Sequence, residues 1–179
     1  MLTEKDILKW YDENYCLEQV KQNGLILQYI NNQTEEICLK AVKQNGLALQ
    51  YVINQTEEIC LEAVKKDGYA LQYIRNQTEG LCLIAINQYG YSLKYAKKQT
   101  KKICLEAVKQ YGMTLQFVNN QTNKICLEAI KQNWKALQYV KNKTLDICLE
   151  ALTQNINAIQ FINIKKFPEL YEKYLFMIK

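Results

Sequence analysis

The chain has no histidine, one serine (Ser92), one proline (Pro168) and one arginine (Arg75) among 179 residues. Without histidine, neither a Ser-His-Asp nor a Cys-His relay is available for nucleophilic catalysis. Zinc requires Cys-x₂₋₄-Cys spacing with further Cys or His, and the seven cysteines never approach one another in that way. No glycine-rich phosphate loop is present. These absences exclude the common enzyme classes and leave no expectation of a cofactor or metal. No apolar run reaches about 18 residues, and the start Met-Leu-Thr-Glu-Lys-Asp lacks the basic and apolar regions of a signal peptide. The expectation is a soluble, cytoplasmic, non-enzymatic protein with no membrane partner.

What the chain does have is a repeat. Cysteine stands at 16, 38, 60, 82, 104, 126 and 148, always 22 residues apart, and Asp12 to Lys165 divides into seven units without insertion or deletion. A fixed period of this length indicates stacked supersecondary units. In the second unit, Thr34 suits a helix N-cap and Glu35-Glu36 suit the positive end of the helix dipole. Ile37, Cys38, Ala41 and Val42 share one face, which predicts an amphipathic helix over Glu35 to Gln44. Gly46 is expected to end that helix in the left-handed conformation. A second short helix is expected over Leu47 to Ile53, with Ala48, Leu49 and Val52 inward. Helices this short are unstable alone, so neighbouring hairpins must share a core. The fold class expected is an all-α solenoid: an N-terminal capping helix in 1–11, seven 22-residue hairpins in 12–165, and a C-terminal capping helix in 166–179 carrying Leu170, Tyr171, Tyr174, Leu175 and Ile178.

The unit Ile-Cys-Leu-Glu-Ala-Val-Lys-Gln-Asn-Gly…Ala-Leu-Gln-Tyr resembles the short helical repeats of a domain family of unknown function found in bacteria, amoebae and large viruses. Those units read Val-Leu-x-Ala-Val-x-x-Asn-Gly-x-x-Leu-x-Tyr-Ala. The resemblance covers about 12 to 164 and implies an all-α array without catalytic residues. The chain departs from that pattern in a shorter connection after the second helix and in its cysteine column.

Each regular column has a structural reading. Equivalent residues of stacked hairpins lie roughly 8–10 Å apart, too far for a disulfide, so the cysteines read as a reduced, buried column. The Gln-Tyr pairs at 28/29, 50/51, 72/73 and 138/139 read as packing, with Phe117 and Phe161 replacing Tyr and Lys94-Tyr95 as the exception. The glutamates at 18, 62, 106, 128 and 150 read as a solvent-facing row. The Asn-x-Thr sequons beginning at Asn32, Asn54, Asn76, Asn120 and Asn142 read as by-products of the repeat.

Charge is where the units differ. Their formal charges are −2, 0, −1, +2, +2, +4 and −1 in order, so the net +5 conceals a change from acidic to basic. The helix-start pairs Glu35-Glu36 and Glu57-Glu58 become Lys101-Lys102 and then Asn123-Lys124. Lysine at a helix N-terminus opposes the dipole at about 0.3–1 kcal/mol, and uncompensated rule-breaking of this kind marks candidate function. In the same segment the turn residue Asn becomes Tyr89 and Tyr111, and Gly becomes Trp134. The candidate partner-binding residues are therefore Lys94, Lys97, Lys98, Lys101, Lys102, Lys124, Lys135 and Lys141, with Tyr89, Tyr111 and Trp134 as anchors. The expected function is a scaffold for an acidic protein or nucleoprotein, for instance an inhibitor of a host nuclease or defence complex. RNA or single-stranded nucleic acid along units four to six is an alternative, against which stands the near absence of arginine. Self-assembly into homo-oligomers through the repeat ends is another.

Overall fold

The computed structural model describes residues 8–170. It is an all-α repeat fold of the solenoid class, with no strand among the described residues. Seven α-helices recur: α1 (Glu13–Gln22), α2 (Glu35–Gln44), α3 (Glu57–Lys66), α4 (Glu79–Gln88), α5 (Lys101–Gln110), α6 (Asn123–Gln132) and α7 (Leu145–Gln154). The bounds of α2 are those the sequence predicts. Its Thr34 hydroxyl accepts from the Ile37 N–H, and Ile37, Cys38, Ala41 and Val42 are buried.

The second element of each hairpin is a six-residue 3₁₀ helix, not an α-helix: Gly46–Tyr51 after α2, Gly68–Tyr73 after α3, and so on to Ile156–Phe161 after α7. The cause is local. Asn45 is extended, its side-chain oxygen accepts from the Leu47 N–H at 3.0 Å, and its carbonyl accepts from Ala48, three residues on. That i→i+3 bond sets the tighter winding. Gly46 does not stop α2 in the left-handed conformation, because no described glycine has a positive φ. It is glycine because a Cβ there would lie 2.6 Å from the Ala63 carbonyl oxygen of the next repeat.

Two compact units divide the chain, Met1–Lys98 and Gln99–Lys179. In the first, α1 to α4 pack in succession, as do the 3₁₀ helices that follow them; in the second, α5 to α7 and their 3₁₀ helices do the same. The core is a repeated set: Ile59, Cys60, Ala63, Val64, Ala70, Leu71 and Ile74 in the third repeat, each at most 5 % exposed. Ahead of the repeats, Lys9–Tyr11 forms one 3₁₀ turn, and the Trp10 ring meets Tyr15 edge-on at 5.3 Å. After them Leu170 is buried. Residues Thr3 to Ile7 of the first expected cap, and Tyr171, Tyr174, Leu175 and Ile178 of the second, lie outside the described residues.

Neighbouring repeats are joined by a glutamine that local sequence reasoning passes over. The Gln33 Nε2 donates to the Tyr51 carbonyl at 2.9 Å, and its Oε1 accepts from the Ile53 N–H at 3.0 Å and the Cys38 thiol at 3.5 Å. Gln55, Gln77, Gln99 and Gln121 repeat this pattern. The glutamines of the Gln-Tyr pairs bond only locally, as when Gln50 donates to the Leu47 carbonyl. Their tyrosines are half-buried rather than inside, and Tyr29 is 63 % exposed.

Candidate interaction edges

Each α-helix runs between two edges of its unit. One, the cap edge, holds the Gln-Thr loops and the helix N-termini, tied from repeat to repeat by the glutamines above. The other, the turn edge, holds the helix C-termini and the starts of the 3₁₀ helices, tied where Gln44 accepts from the Gly24 N–H at 2.8 Å. At a rise of about 1.5 Å per residue the edges are about 15 Å apart. The predicted site residues divide between them.

On the cap edge, the first turns of α2 and α3 carry Glu35-Glu36 and Glu57-Glu58. The Thr56 hydroxyl donates to Glu35 at 3.0 Å, and that of Thr34 to Glu13 at 2.8 Å, so the acidic row also links repeats. In the second unit, α5 begins with Lys101-Lys102 and α6 with Asn123-Lys124, and neither first turn holds an acid; α7 holds Asp146. Lys101, Lys102 and Lys124 are exposed and make no ion pair or hydrogen bond among the described residues. Lys98, at the end of the first unit, is likewise exposed and unpaired among them.

Lys97 and Lys141 have a different role. The Lys97 ammonium donates to the carbonyls of Ile74 (3.1 Å) and Arg75 (2.9 Å), and that of Lys141 to the carbonyl of Asn119 (3.0 Å). Arg75 does the same to Ile53 and Val52. These cations fasten each loop to the one before it while still adding positive charge to the edge. The column of alternating Ile53, Arg75, Lys97, Asn119 and Lys141 is the signal from which this could have been read.

The aromatic candidates stand on the turn edge. Tyr89 and Tyr111 replace the residue that caps the 3₁₀ helix elsewhere, and neither makes a side-chain cap bond, at a cost of about 1 kcal/mol each. The Tyr89 ring meets Tyr69 edge-on at 4.8 Å and stacks on Tyr91 at 5.5 Å. A hydrogen bond to Tyr89 pushes the Tyr69 phenol up to about 12. The Lys94 ammonium lies over the Tyr95 ring at 4.6 Å and the Tyr69 ring at 5.8 Å. Tyr89 is therefore half-buried in a tyrosine cluster, whereas Tyr111 is 43 % exposed. Trp134 is half-buried, its ring 6.1 Å from Phe161, with Lys135 over it at 5.8 Å.

Burial pushes all seven cysteine thiols up, that of Cys38 to about 11. They are buried free thiols, as the column reading requires. Within the glutamate row Glu18 is exposed, whereas Glu62, Glu106, Glu128 and Glu150 are half-buried rather than solvent-facing: Glu62 pairs with Lys65 at 3.0 Å and reaches Lys43 of the preceding repeat at 3.8 Å. The Lys65 hydrogen bond holds its carboxyl below the usual range. Among the described residues, no three His, Cys, Asp or Glu side chains converge as a metal site, and no helix is long and apolar enough to cross a membrane.

The model of a domain of unknown function, DUF4116, matches residues 34–77, 78–123, 101–145 and 123–170. The chain belongs to the DUF4116 family. The first match covers two of the 22-residue units, from the Thr34 cap to Gln77, so the DUF4116 domain corresponds to a pair of hairpins. No curated protein and no solved structure matches this DUF4116 chain.

Proposed function

We propose that this DUF4116 chain is a non-enzymatic repeat scaffold that binds an acidic protein or nucleoprotein through the cap edge of its second unit. One observation carries the reading: the unpaired lysines Lys101, Lys102 and Lys124 in the first turns of α5 and α6, where α2 and α3 place glutamates. The positive helix ends and the lysines repel one another, and a bound anion relieves that repulsion. Lys141 adds charge on the same edge. Tyr111 and Trp134, on the other edge, are not part of this surface.

The test is binding of a glutamate-rich peptide to the whole chain at two salt concentrations, against the triple variant Lys101→Glu/Lys102→Glu/Lys124→Glu. The expected result is salt-sensitive binding that the variant loses. Equal binding by both proteins would overturn the reading, and so would preference for a single-stranded oligonucleotide of the same charge.

A further inference from the structure

In four repeats the cap edge carries two amides with opposite fates, Asn32-Gln33, Asn54-Gln55, Asn76-Gln77 and Asn120-Gln121. The glutamine just before the Thr cap is engaged in bonds between repeats. The asparagine before it is not, nor is Asn142, which precedes Lys143. Asn32, Asn54, Asn76, Asn120 and Asn142 are all exposed, and none of their carboxamides makes a hydrogen bond among the described residues. A carboxamide offers two donors and two acceptor lone pairs, the same groups that a peptide unit presents.

In the second unit two of these amides open onto one groove. Asn120 and Asn142 line it with Asn119, Asn123, Gln121 and Lys141, in a volume of about 290 Å³. Cys126 forms its floor, and no carboxylate lines it. Lys141 is held in place by the Asn119 carbonyl. The adjoining groove shares Lys141 and Asn142 and adds Phe161 and Phe167.

We propose that this groove binds the main chain of an extended, acidic segment of a partner protein. The inference rests on the basic-edge reading and names the form in which the partner is presented. An amide at the same place in successive repeats meets what is constant along an extended peptide, its backbone N–H and C=O, while the lysines select acidic side chains. Phe161 and Phe167 give one apolar side chain of the segment a place to rest. Single-stranded nucleic acid would need an aromatic ring in each repeat for base stacking, and the groove between Asn120 and Asn142 has none.

The test compares a short Glu/Ser peptide with the same peptide N-methylated at alternate backbone nitrogens, which keeps the charge and removes main-chain donors. Wild-type chain is expected to bind the unmethylated peptide about tenfold more tightly, the equivalent of one or two hydrogen bonds. Asn120→Ala/Asn142→Ala should abolish that difference while leaving the salt dependence and the circular dichroism spectrum unchanged. Equal affinity of wild type for the two peptides overturns the inference, as does a difference that survives the double change. Binding of both peptides that is lost only in the lysine triple variant overturns the main-chain inference and leaves the basic-edge reading standing. An oligonucleotide whose binding depends on the asparagine pair, with no peptide bound, overturns both.

Discussion

The Gln55 side-chain nitrogen donates to the Tyr73 carbonyl at 2.9 Å, joining a loop of one repeat to the 3₁₀ helix of the next. Its oxygen accepts from the Arg75 N–H and the Cys60 thiol. One side chain thus satisfies groups from three segments. Gln55→Leu keeps the volume and strands these partners, so it should destabilise the chain by about 2–4 kcal/mol. Gln50→Leu, which removes one local bond on an exposed surface, should cost less than about 1 kcal/mol. Urea denaturation of the two variants checks the ordering.

Glycine substitutions should separate close approach from helix propensity. A Cβ at Gly112 would lie 2.2 Å from the Ala129 carbonyl oxygen, and at Gly46 2.6 Å from that of Ala63. Backbone must shift in both, and Ala there should destabilise by about 1–3 kcal/mol. Gly80 lies in the first turn of α4 with open space around it, its nearest contact 3.8 Å away. Gly80→Ala should stabilise by about 0.5–1 kcal/mol. Thermal melts of the three variants give the signs.

The buried thiols tie stability to alkaline pH. Their ordinary value is 9.0, and that of Cys38 is about 11. A group whose folded value is raised stabilises the fold below its unfolded value and loses that contribution as pH rises through the folded one. The denaturation midpoint should therefore fall between about pH 9 and 11. At neutral pH a thiol reagent should modify the native chain slowly and all seven cysteines rapidly in denaturant.

The Tyr69–Tyr89 hydrogen bond has its own signature. Tyr69 is raised from 10.0 to about 12 chiefly by that bond. Its contribution is present below pH 10 and is lost as pH rises toward 12. Ultraviolet titration of phenolate absorbance should show a late-titrating tyrosine in the wild type, and Tyr89→Phe should bring it back toward 10.

The 22-residue period, the α-helix bounds and the buried set Ile37, Cys38, Ala41 and Val42 were legible because each follows from capping and helical spacing within a few residues. The 3₁₀ form of Gly46–Tyr51 was not, since Ala48, Leu49 and Val52 satisfy either helix, and Asn45, whose local bonds to Leu47 and Ala48 decide between them, reads in sequence only as a turn residue. The linking role of Gln33 is fulfilled 18 to 20 residues downstream, where local pattern carries no trace; only its recurrence at 55, 77, 99 and 121 hints at it. The candidate residues read as one cluster in sequence because α5 brings Lys101 and Tyr111 within ten positions. A helix places its two ends on opposite edges, so the lysines and the aromatics separate. Lys97 and Lys141 looked like free charge and are fasteners between loops.

The central claim is that an acidic partner docks on the cap edge of the second unit. An NMR titration of the isotopically labelled chain with the Glu/Ser peptide tests it most directly. Shifts are expected at the amides of Lys101, Lys102, Asn120, Lys124 and Asn142, with Tyr69, Tyr89 and Tyr111 unmoved. Shifts confined to the turn edge, or scattered evenly over both edges, would contradict it.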